Sequence, residues 1–574
     1  MSRNLDHLRT IAEQTHFEKT GRYDEVLRLG RAYAETWPDA VRCFEFGCTP
    51  EGRPMIALIA TRSGALTASE IAERKIPVLF LQGGIHPGES DGKDAGFIAL
   101  REMLEGPSSA ALEKIAILFV PVFNVDGHER FGKWNRPNQV GPEEMGWRST
   151  SQNLNLNRDY AKVDSPEMQA MMRLLLEWNP LVYADLHVTN GADFEHDVSV
   201  QVEPIHTGDP ALRATGLELR EHVIAKLAAE GSLPLPFYPS LARHDDPESG
   251  FEHYVYSPRF STGYWNLRNR FTLLLETHSW KSYETRVRIT LHTIAGLTDW
   301  TVTKGAGALA VVEKADAAGA MLGGQSVDID YGLSDERTEI EFRGYAYTRE
   351  PSSISGQLAT RYDPSKPQIW RVPLRTGVVV KRTAPAPKGG YIVPAAYAQD
   401  IRTRLSLHGI VSRRFSAPVA AAPVEAFRAS KVTFQPAPFE GRTMVSLEGA
   451  WNSEAREVPS GSLFVPITQR FARLAMALLE PQAPDSFGAW GFFNAVYERK
   501  EYMDAYVAEQ VAREMLAADP ALAAEFARKL GSEPDFARDA AARLDFFYRR
   551  HPSFDERLDL YPVYRTDADA FPFV

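Results

Sequence analysis

The sequence predicts an α/β protein whose sheet, with helices on its faces, is followed by a β-rich region and a helical C-terminal segment. Three observations support this. Apolar, β-forming runs alternate with helical patterns up to about residue 320. From about Gly324, short alternating segments with many prolines are typical of strands. The last hundred or so residues are again helical in pattern. We therefore predict three parts, at residues 1–320, 321–465 and 466–574.

The first part alternates strands and helices in chain order. Residues 4–36 have helical periodicity. Val41–Ala60 is predicted as a hairpin, because VRCFEFG alternates apolar and polar residues and is followed by the turn TPEGRP and the apolar run MIALIA. A strand over Lys75–Phe80, a helix from about Lys93 to Leu104 and a strand over Ile115–Phe123 follow. This alternation places helices against the faces of the sheet.

The same alternation continues after a long Gly-, Pro- and Asn-rich loop that begins at Asn124. Loops of this length are usually functional. Ser165–Trp178 is predicted as a helix with Pro166 in its first turn, and Leu181–His187 and Phe271–Glu276 as strands. A long helix from Arg286 to about Ala318 closes this part. The final segment has four predicted helices, at Thr468–Leu479, Tyr502–Ala517, Ala521–Leu530 and Ala537–Tyr548.

The composition excludes several classes of function. The net charge of −11 does not favour binding to nucleic acid or to an anionic membrane surface. No apolar run approaches the roughly 18 residues that a membrane span needs. The polar N-terminus shows no signal peptide, so we expect a cytoplasmic protein, although a leader already removed would leave secretion or a periplasmic location open. The two cysteines, Cys43 and Cys48, give no disulfide framework; whether they pair stays open.

The chain is organised around the stretch Leu81–Gly96, LQGGIHPGESDGKDAG. Two glycines and a proline end the preceding strand, so His86 and Glu89 fall in the loop at its end, where α/β sheets place their chemistry. An HxxE spacing alone is common and carries little weight. A distant histidine would complete a His₂Glu zinc site with one open position. Two further predicted strands also end on polar residues of this kind, His187 and Glu276.

Five motifs in this order, HPGE (86–89), NVDG (124–127), NLNRDY (155–160), DLH (185–187) and LLLE (273–276), resemble the zinc carboxypeptidases of the carboxypeptidase A-like (funnelin) family. The resemblance covers roughly residues 40–300 and does not extend to the last 250 or so. It implies a carboxypeptidase-like mixed sheet flanked by helices, and a metallocarboxypeptidase that uses one zinc ion per chain.

The resemblance also assigns the metal ligands and the base. His86, Glu89 and His187 would hold the zinc ion, and Glu276 would be the general base. The family usually has an aspartate where this chain has Asn155, which would orient a ligand histidine less strongly. Asp185, two residues before His187, is a candidate for a compensating carboxylate.

Substrate-binding residues follow from the same resemblance. Asn157 and Arg158 match the pair that holds the terminal carboxylate of the substrate, for which a guanidinium fork is well suited. Arg148 is the candidate for stabilising the oxyanion, with Arg136 as its rival.

The tyrosine lid of the family has two main candidates here. Tyr254 has the better spacing to Glu276, and Tyr256 is close behind. The wall that selects the substrate side chain lies near Ser261, but the preference is not predicted.

The predicted function is therefore hydrolysis of C-terminal peptide bonds in peptides or small amides, without nucleic-acid or membrane partners. A homo-oligomer stays open. The main alternative is an aspartoacylase-like deacylase acting on N-acyl amino acids, with cell-wall peptides as a related substrate class. A non-catalytic zinc-binding interaction protein is a further alternative, which the complete set of catalytic residue types disfavours.

Overall fold

The computed structural model describes residues 5–574, without the side chains of Pro107 and Ser108. The α-helices are α1 Ile11–Gln14, α2 Tyr23–Thr36, α3 Ala68–Glu73, α4 Asp91–Glu105, α5 Val125–Glu129, α6 Pro166–Trp178, α7 Pro210–Ala229, α8 Ser261–Leu267, α9 Tyr283–Gly319, α10 Ala395–Leu407, α11 Ala472–Leu479, α12 Ala505–Ala518, α13 Pro520–Ser532, α14 Pro534–Arg538 and α15 Ala540–Tyr548. Short 3₁₀ helices lie at Asp6–Leu8, Pro107–Glu113, Leu156–Arg158, Pro247–Ser249 and Asn494–Tyr497.

The strands, numbered in the same way, are β1 Val41–Cys48, β2 Pro54–Ala60, β3 Val78–Gln82, β4 Ala116–Val120, β5 Val182–Val188, β6 Val198–Glu203, β7 Pro234–Leu235, β8 Ser240–Leu241, β9 Phe251–Glu252, β10 Phe271–Thr277, β11 Ser326–Leu333, β12 Thr338–Pro351, β13 Leu358–Arg375, β14 Val378–Pro385, β15 Gly390–Val393, β16 Arg413–Arg414, β17 Val419–Phe434, β18 Val445–Val458, β19 Leu463–Pro466 and β20 Tyr564–Thr566.

A mixed eight-stranded sheet forms the centre of the first part, in the order β1-β2-β4-β3-β5-β10-β6-β7. The four middle strands, β4, β3, β5 and β10, run parallel. The antiparallel pairs are β1 with β2, β2 with β4, and β6 with β10. Strands β3, β4 and β5 are buried along their whole length, as expected for parallel strands with helices on both faces. The predicted mixed sheet flanked by helices is confirmed.

The later parts of the chain fold against this sheet. A six-stranded sheet has the order β16-β19-β15-β20-β17-β18, and a four-stranded sheet has the order β12-β13-β9-β8. Three of these pairings cross the predicted part boundaries: β9 pairs with β13, and β20, near the C-terminus, pairs with β15 and with β17. The division into three parts stays a prediction, and the parts are joined by shared sheets.

The predicted elements appear with shifts of a few residues, and several elements were missed, including α3, α8 and the helix α10 inside the predicted β-rich region. The sequence did not predict β6 or α7, although VSVQV alternates like a strand and Asp209 caps α7 with Pro210 in its first turn. The predicted helix Ala537–Tyr548 is two helices, because the chain leaves helical geometry at Asp539. Residue 4, the start of the first predicted helix, lies outside the described residues. Among the described residues, no helix is long and apolar enough to cross a membrane.

Candidate active site

The candidate site lies where three neighbouring parallel strands end. His86 and Glu89 follow β3, His187 lies near the end of β5 and Glu276 lies near the end of β10. Because β5 lies between β3 and β10 in the sheet, the loops and side chains at these ends meet at one edge. His187 and Glu276 pair in register across β5 and β10.

His86, Glu89 and His187 form a compact set of buried ligand atoms. The atoms they offer lie within 4.8 Å of one another, and no other group of this kind occurs within residues 5–574. The Nδ1 atom of His86 lies 3.1 Å from Glu89 Oε1, and the Nδ1 atom of His187 lies 2.9 Å from Glu89 Oε2. Both Nδ1 atoms and both carboxylate oxygens therefore point at one place.

The outer ring nitrogen of each histidine, Nε2, lies close to a side-chain oxygen. His86 Nε2 lies 3.1 Å from the side-chain oxygen of Asn155, and His187 Nε2 lies 2.9 Å from Asp185 Oδ1. An acceptor on the outer nitrogen holds the proton there and leaves the inner nitrogen free to bind a metal ion. His86 Nδ1 and His187 Nε2 are both buried and make no hydrogen bond in the described part of the chain, although each lies within ion-pair distance of a carboxylate. The donor set fits zinc.

The charges around Glu89 keep it ionised. Burial alone would raise the pKa of Glu89, but the guanidinium of Arg136 and the two histidines hold it well below its usual range. Arg136 Nη1 lies 2.8 Å from Glu89 Oε1, and the backbone N–H of Val188 donates to Oε2. Burial lowers the pKa of His86 to about 4, so this ring is neutral at physiological pH. Glu89 and His86 are therefore in the forms that bind metal. Burial alone would lower the pKa of His187, but Asp185 and Glu89 raise it well above its usual range, so a metal ion would displace its proton.

The pKa of Glu276 is shifted in the opposite direction to that of Glu89. Its pKa is raised to about 8, mainly by burial and further by the charge of Glu89, although His187 and Arg136 act in the other direction. A carboxyl group that titrates near neutral pH can both accept and return a proton. The side chain lines the same cleft as His86 and Glu89.

The cleft has a volume of about 730 Å³, including its open mouth. The 3₁₀ helix Leu156–Arg158 brings Asn157 and Arg158 into its wall. The side-chain oxygen of Asn157 is buried and has no partner among the described residues. The Arg158 guanidinium stacks 4.3 Å from the centre of the Phe260 ring, and the negative charge of Glu440 acts on it. Burial, and then the charge of Arg148, lower the pKa of Arg158 to about 10.

The two candidate oxyanion arginines have different surroundings. Arg148 lines the cleft, with a side chain 39% exposed, and its Nη1 lies 3.5 Å from Glu89 Oε1. Arg136 is buried and does not line the cleft. It donates to Glu89, to Gln139 and to the backbone oxygens of Val188 and Thr189. The donors of Arg136 are thus used within the protein, whereas Arg148 is open to a ligand.

The two candidate tyrosines also differ. Tyr256 lines the cleft, and its ring centre lies 5.0 Å from that of Phe260. Tyr254 is 45% exposed, does not line the cleft and donates its hydroxyl to Glu252. Its better spacing to Glu276 therefore does not bring it to the site, because the chain turns its side chain towards solvent. This placement does not fit the lid role expected for Tyr254.

Sequence reasoning missed several residues of the cleft. Tyr238 lines it, and Ser199 donates a hydrogen bond to the backbone oxygen of the preceding residue, Phe237. No motif surrounds Tyr238, so the sequence carried no signal for it. Ser261, expected near the wall, does line the cleft, and its hydroxyl donates to Asp185 at 2.6 Å. Asp185 therefore links this wall to His187.

Part of this chain is similar in sequence to known carboxypeptidases. Residues 26–192 match the family model described as zinc carboxypeptidase. Carboxypeptidase 2 of Trichophyton rubrum is 23% identical over 466 residues, which cover 77% of this chain and 78% of that protein. Carboxypeptidase 2 of Trichophyton equinum is 23% identical over 465 residues, with the same coverage. The matched family segment contains His86, Glu89 and His187.

Two solved structures are also similar in part. The metallo-carboxypeptidase from Burkholderia cenocepacia is 17% identical with a TM-score of 0.36, covering 49% of this chain and 70% of that chain. The carboxypeptidase A from Helicoverpa armigera is 16% identical with a TM-score of 0.36, covering 51% of this chain and 75% of that chain.

Proposed function

We propose that this chain, of which residues 26–192 match the zinc carboxypeptidase family model, is a metallocarboxypeptidase, with the mechanism and substrate class that follow. The protein removes residues from the C-terminal end of peptides, with His86, Glu89 and His187 holding one zinc ion and Glu276 acting as general base. The observation that carries the proposal is that His86 and Glu89 of this buried ligand set line the same cleft as Glu276 and the guanidinium of Arg158.

Substrate binding starts from the terminal carboxylate. Arg158 offers a planar pair of donors that match a carboxylate, and Asn157 lies beside it in the cleft wall. Burial and then the charge of Arg148 lower the pKa of Arg158. An anion bound there offsets the repulsion between the two guanidinium groups. Tyr256 and Phe260 pack beside this position and exclude water from it.

The chemical step uses Glu276 and Arg148. A bound zinc ion supplies Lewis acidity, which polarises the scissile carbonyl and lowers the pKa of the attacking water. Glu276 takes a proton from that water while the water oxygen bonds to the carbonyl carbon. Arg148 donates hydrogen bonds to the carbonyl oxygen, which becomes negative. Glu276 then returns the proton to the leaving amine as the carbon–nitrogen bond breaks. Burial raises the pKa of Glu276, which makes its carboxylate a stronger base than a solvent-exposed glutamate.

The proposal is tested with matched peptides that end in a free carboxylate or in an amide. We expect shortening from the C-terminus, read by mass spectrometry, only for the free carboxylate, because the amide cannot pair with Arg158. Equal cleavage of both peptides, or cleavage in the chain interior, would exclude a carboxypeptidase. Activity on N-acyl amino acids with intact peptides would instead support the deacylase alternative.

A further inference from the structure

The loop between β17 and β18 reaches the catalytic region from the far end of the chain. Its residue Glu440 accepts a hydrogen bond at 2.8 Å from the backbone N–H of Asn155, 285 positions away in the sequence. Asn155 immediately precedes the 3₁₀ helix that carries Asn157 and Arg158. A carboxylate from outside the matched family segment therefore contacts the segment that forms one wall of the cleft.

Glu440 occupies an unusual backbone conformation. Its φ is +49°, and Gly441 follows with φ +78°. Phe439 and Arg442 on either side exchange two backbone hydrogen bonds, of 2.8 and 3.1 Å, so these two residues form a tight two-residue turn. Such turns favour Asn-Gly or Gly-Gly, and a glutamate at positive φ costs free energy. Strained residues of this kind cluster at functional sites.

The turn is held firmly on both sides. Arg442 makes two hydrogen bonds of 2.6 and 2.7 Å to Asp164, and its guanidinium lies 3.6 Å from the centre of the Phe492 ring. Phe439 stacks on the buried Trp490, with an interplanar angle of 11°. The carboxylate of Glu440 is thus presented by a fixed backbone and does not depend on a flexible loop.

The contact is relayed to the metal-binding set through Asn155. The side-chain oxygen of Asn155 accepts from the backbone N–H of Asn157 and lies 3.1 Å from His86 Nε2. Glu440 fixes the backbone of Asn155, and Asn155 in turn sets the orientation of the His86 ring. The Asn155 amide orients the imidazole of His86 less strongly than a carboxylate would. The orientation of His86 therefore depends more on where the backbone places Asn155.

The same turn also approaches the opposite wall. The guanidinium of Arg259 lies 5.5 Å from the centre of the Phe439 ring, and Arg259 is bound by Asp485 through its backbone N–H and Nε, at 2.8 and 2.7 Å. Arg259 directly precedes Phe260, the ring on which Arg158 stacks. Residues of the C-terminal half therefore support both walls of the cleft.

We propose that Glu440 is a positioning residue of the active site: by holding the Asn155 backbone it orients His86 and places Asn157 and Arg158. The C-terminal half thus contributes a residue that positions the active site. The roles of His86 and Arg158 in this statement rest on the proposed function, whereas the ordering of Asn155 by Glu440 does not.

The test compares Glu440→Ala with Glu440→Gln in the full chain. The glutamine keeps an oxygen that can accept from Asn155, and the alanine does not. Glu448→Gln is the matched control, because Glu448 lies on the same hairpin in an exposed pair with Lys431. Amide hydrogen exchange at Asn155 is measured without added metal, and Zn²⁺ affinity is measured by competition with a chelator. Steady-state kinetics on a peptide with a free C-terminus complete the set.

We expect exchange at Asn155 to accelerate in Glu440→Ala and to stay slow in the glutamine and control variants. Zinc affinity should fall about tenfold in the alanine variant, the size of effect found for residues that orient metal ligands. KM should rise as well, because Arg158 is displaced.

Unchanged exchange in Glu440→Ala, or accelerated exchange with unchanged zinc affinity and kinetics, would overturn the proposal. A wild-type protein without peptidase activity would refute the proposed function, while the exchange rates would still decide whether Glu440 orders Asn155.

Discussion

Glu276 and His187 lie side by side on adjacent parallel strands, in register with one another. This pairing fixes the distance between the proposed general base and a proposed metal ligand through backbone hydrogen bonds, and no flexible loop intervenes. Sites built on strands are held more tightly than sites on loops. We therefore expect Glu276 to be changeable without disturbing the metal site.

The substitution Glu276→Gln should separate catalysis from metal binding. Glutamine has nearly the same shape but cannot accept the proton of the attacking water. We expect kcat on a C-terminal peptide to fall by about 10² to 10⁴, with zinc content unchanged. A kcat within tenfold of wild type would exclude Glu276 as the base.

Arg158 should determine recognition of the terminal carboxylate. Arg158→Lys keeps a positive charge but loses the planar fork, so we expect an intermediate loss in kcat/KM, and Arg158→Ala a larger one. Neither variant should change the response to a peptide amide, which has no carboxylate to bind. If Arg158→Ala cleaves free-carboxylate peptides as well as wild type, the carboxylate binds elsewhere.

Tyr254 and Tyr256 form a matched pair for testing the lid. Tyr256 lines the cleft, whereas Tyr254 is exposed and bound to Glu252. Tyr256→Phe should lower kcat/KM several-fold, because the hydroxyl is lost from the cleft, and Tyr254→Phe should behave like wild type. The reverse order of effects in steady-state kinetics would restore Tyr254 as the lid.

Glu167 in α6 should make the protein less stable at alkaline pH. Its side chain is fully buried, neither carboxylate oxygen has a hydrogen-bond partner in the described part of the chain, and burial raises its pKa to about 7. The folded state therefore binds the proton more tightly than the unfolded state. The resulting cost begins above pH ~4.5 and is complete above pH ~7, where it reaches at most about 3 kcal/mol.

Glu167→Gln should remove this cost. We expect its melting temperature to exceed that of wild type at pH 8 and to match it near pH 4.5. Glu177→Gln, an exposed change on the same helix, is the control and should show no such difference. If the melting temperature of Glu167→Gln at pH 8 equals that of wild type, ionisation of Glu167 does not destabilise the folded protein.

Much of the site was predictable because its residues directly follow recognisable strands. His86, Glu89, His187 and Glu276 each come at or near the end of an apolar run, and parallel strand ends share one edge of a sheet. Their convergence therefore followed from local patterns. The choice between Tyr254 and Tyr256 did not, because it depends on which way an irregular segment turns.

The contribution of the C-terminal half could not be predicted for a different reason. The contact between Glu440 and Asn155 joins residues 285 positions apart, and Glu440 lies in a turn without a catalytic motif. Strand β20 likewise pairs with β15 and β17 far earlier in the chain. Sequence periodicity reports which face of an element is buried but not which distant element covers it.

The central claim is that His86, Glu89 and His187 hold a zinc ion that peptide cleavage requires. The most direct measurement is elemental analysis of zinc in wild type, His86→Ala and His244→Ala, each then incubated with a mixed peptide pool. His244 is an exposed loop histidine and serves as the control. We predict one zinc per chain and C-terminal shortening in wild type and in the control, and loss of both in His86→Ala. A wild-type protein without zinc, or a His86→Ala variant that keeps its zinc and its activity, would contradict the account.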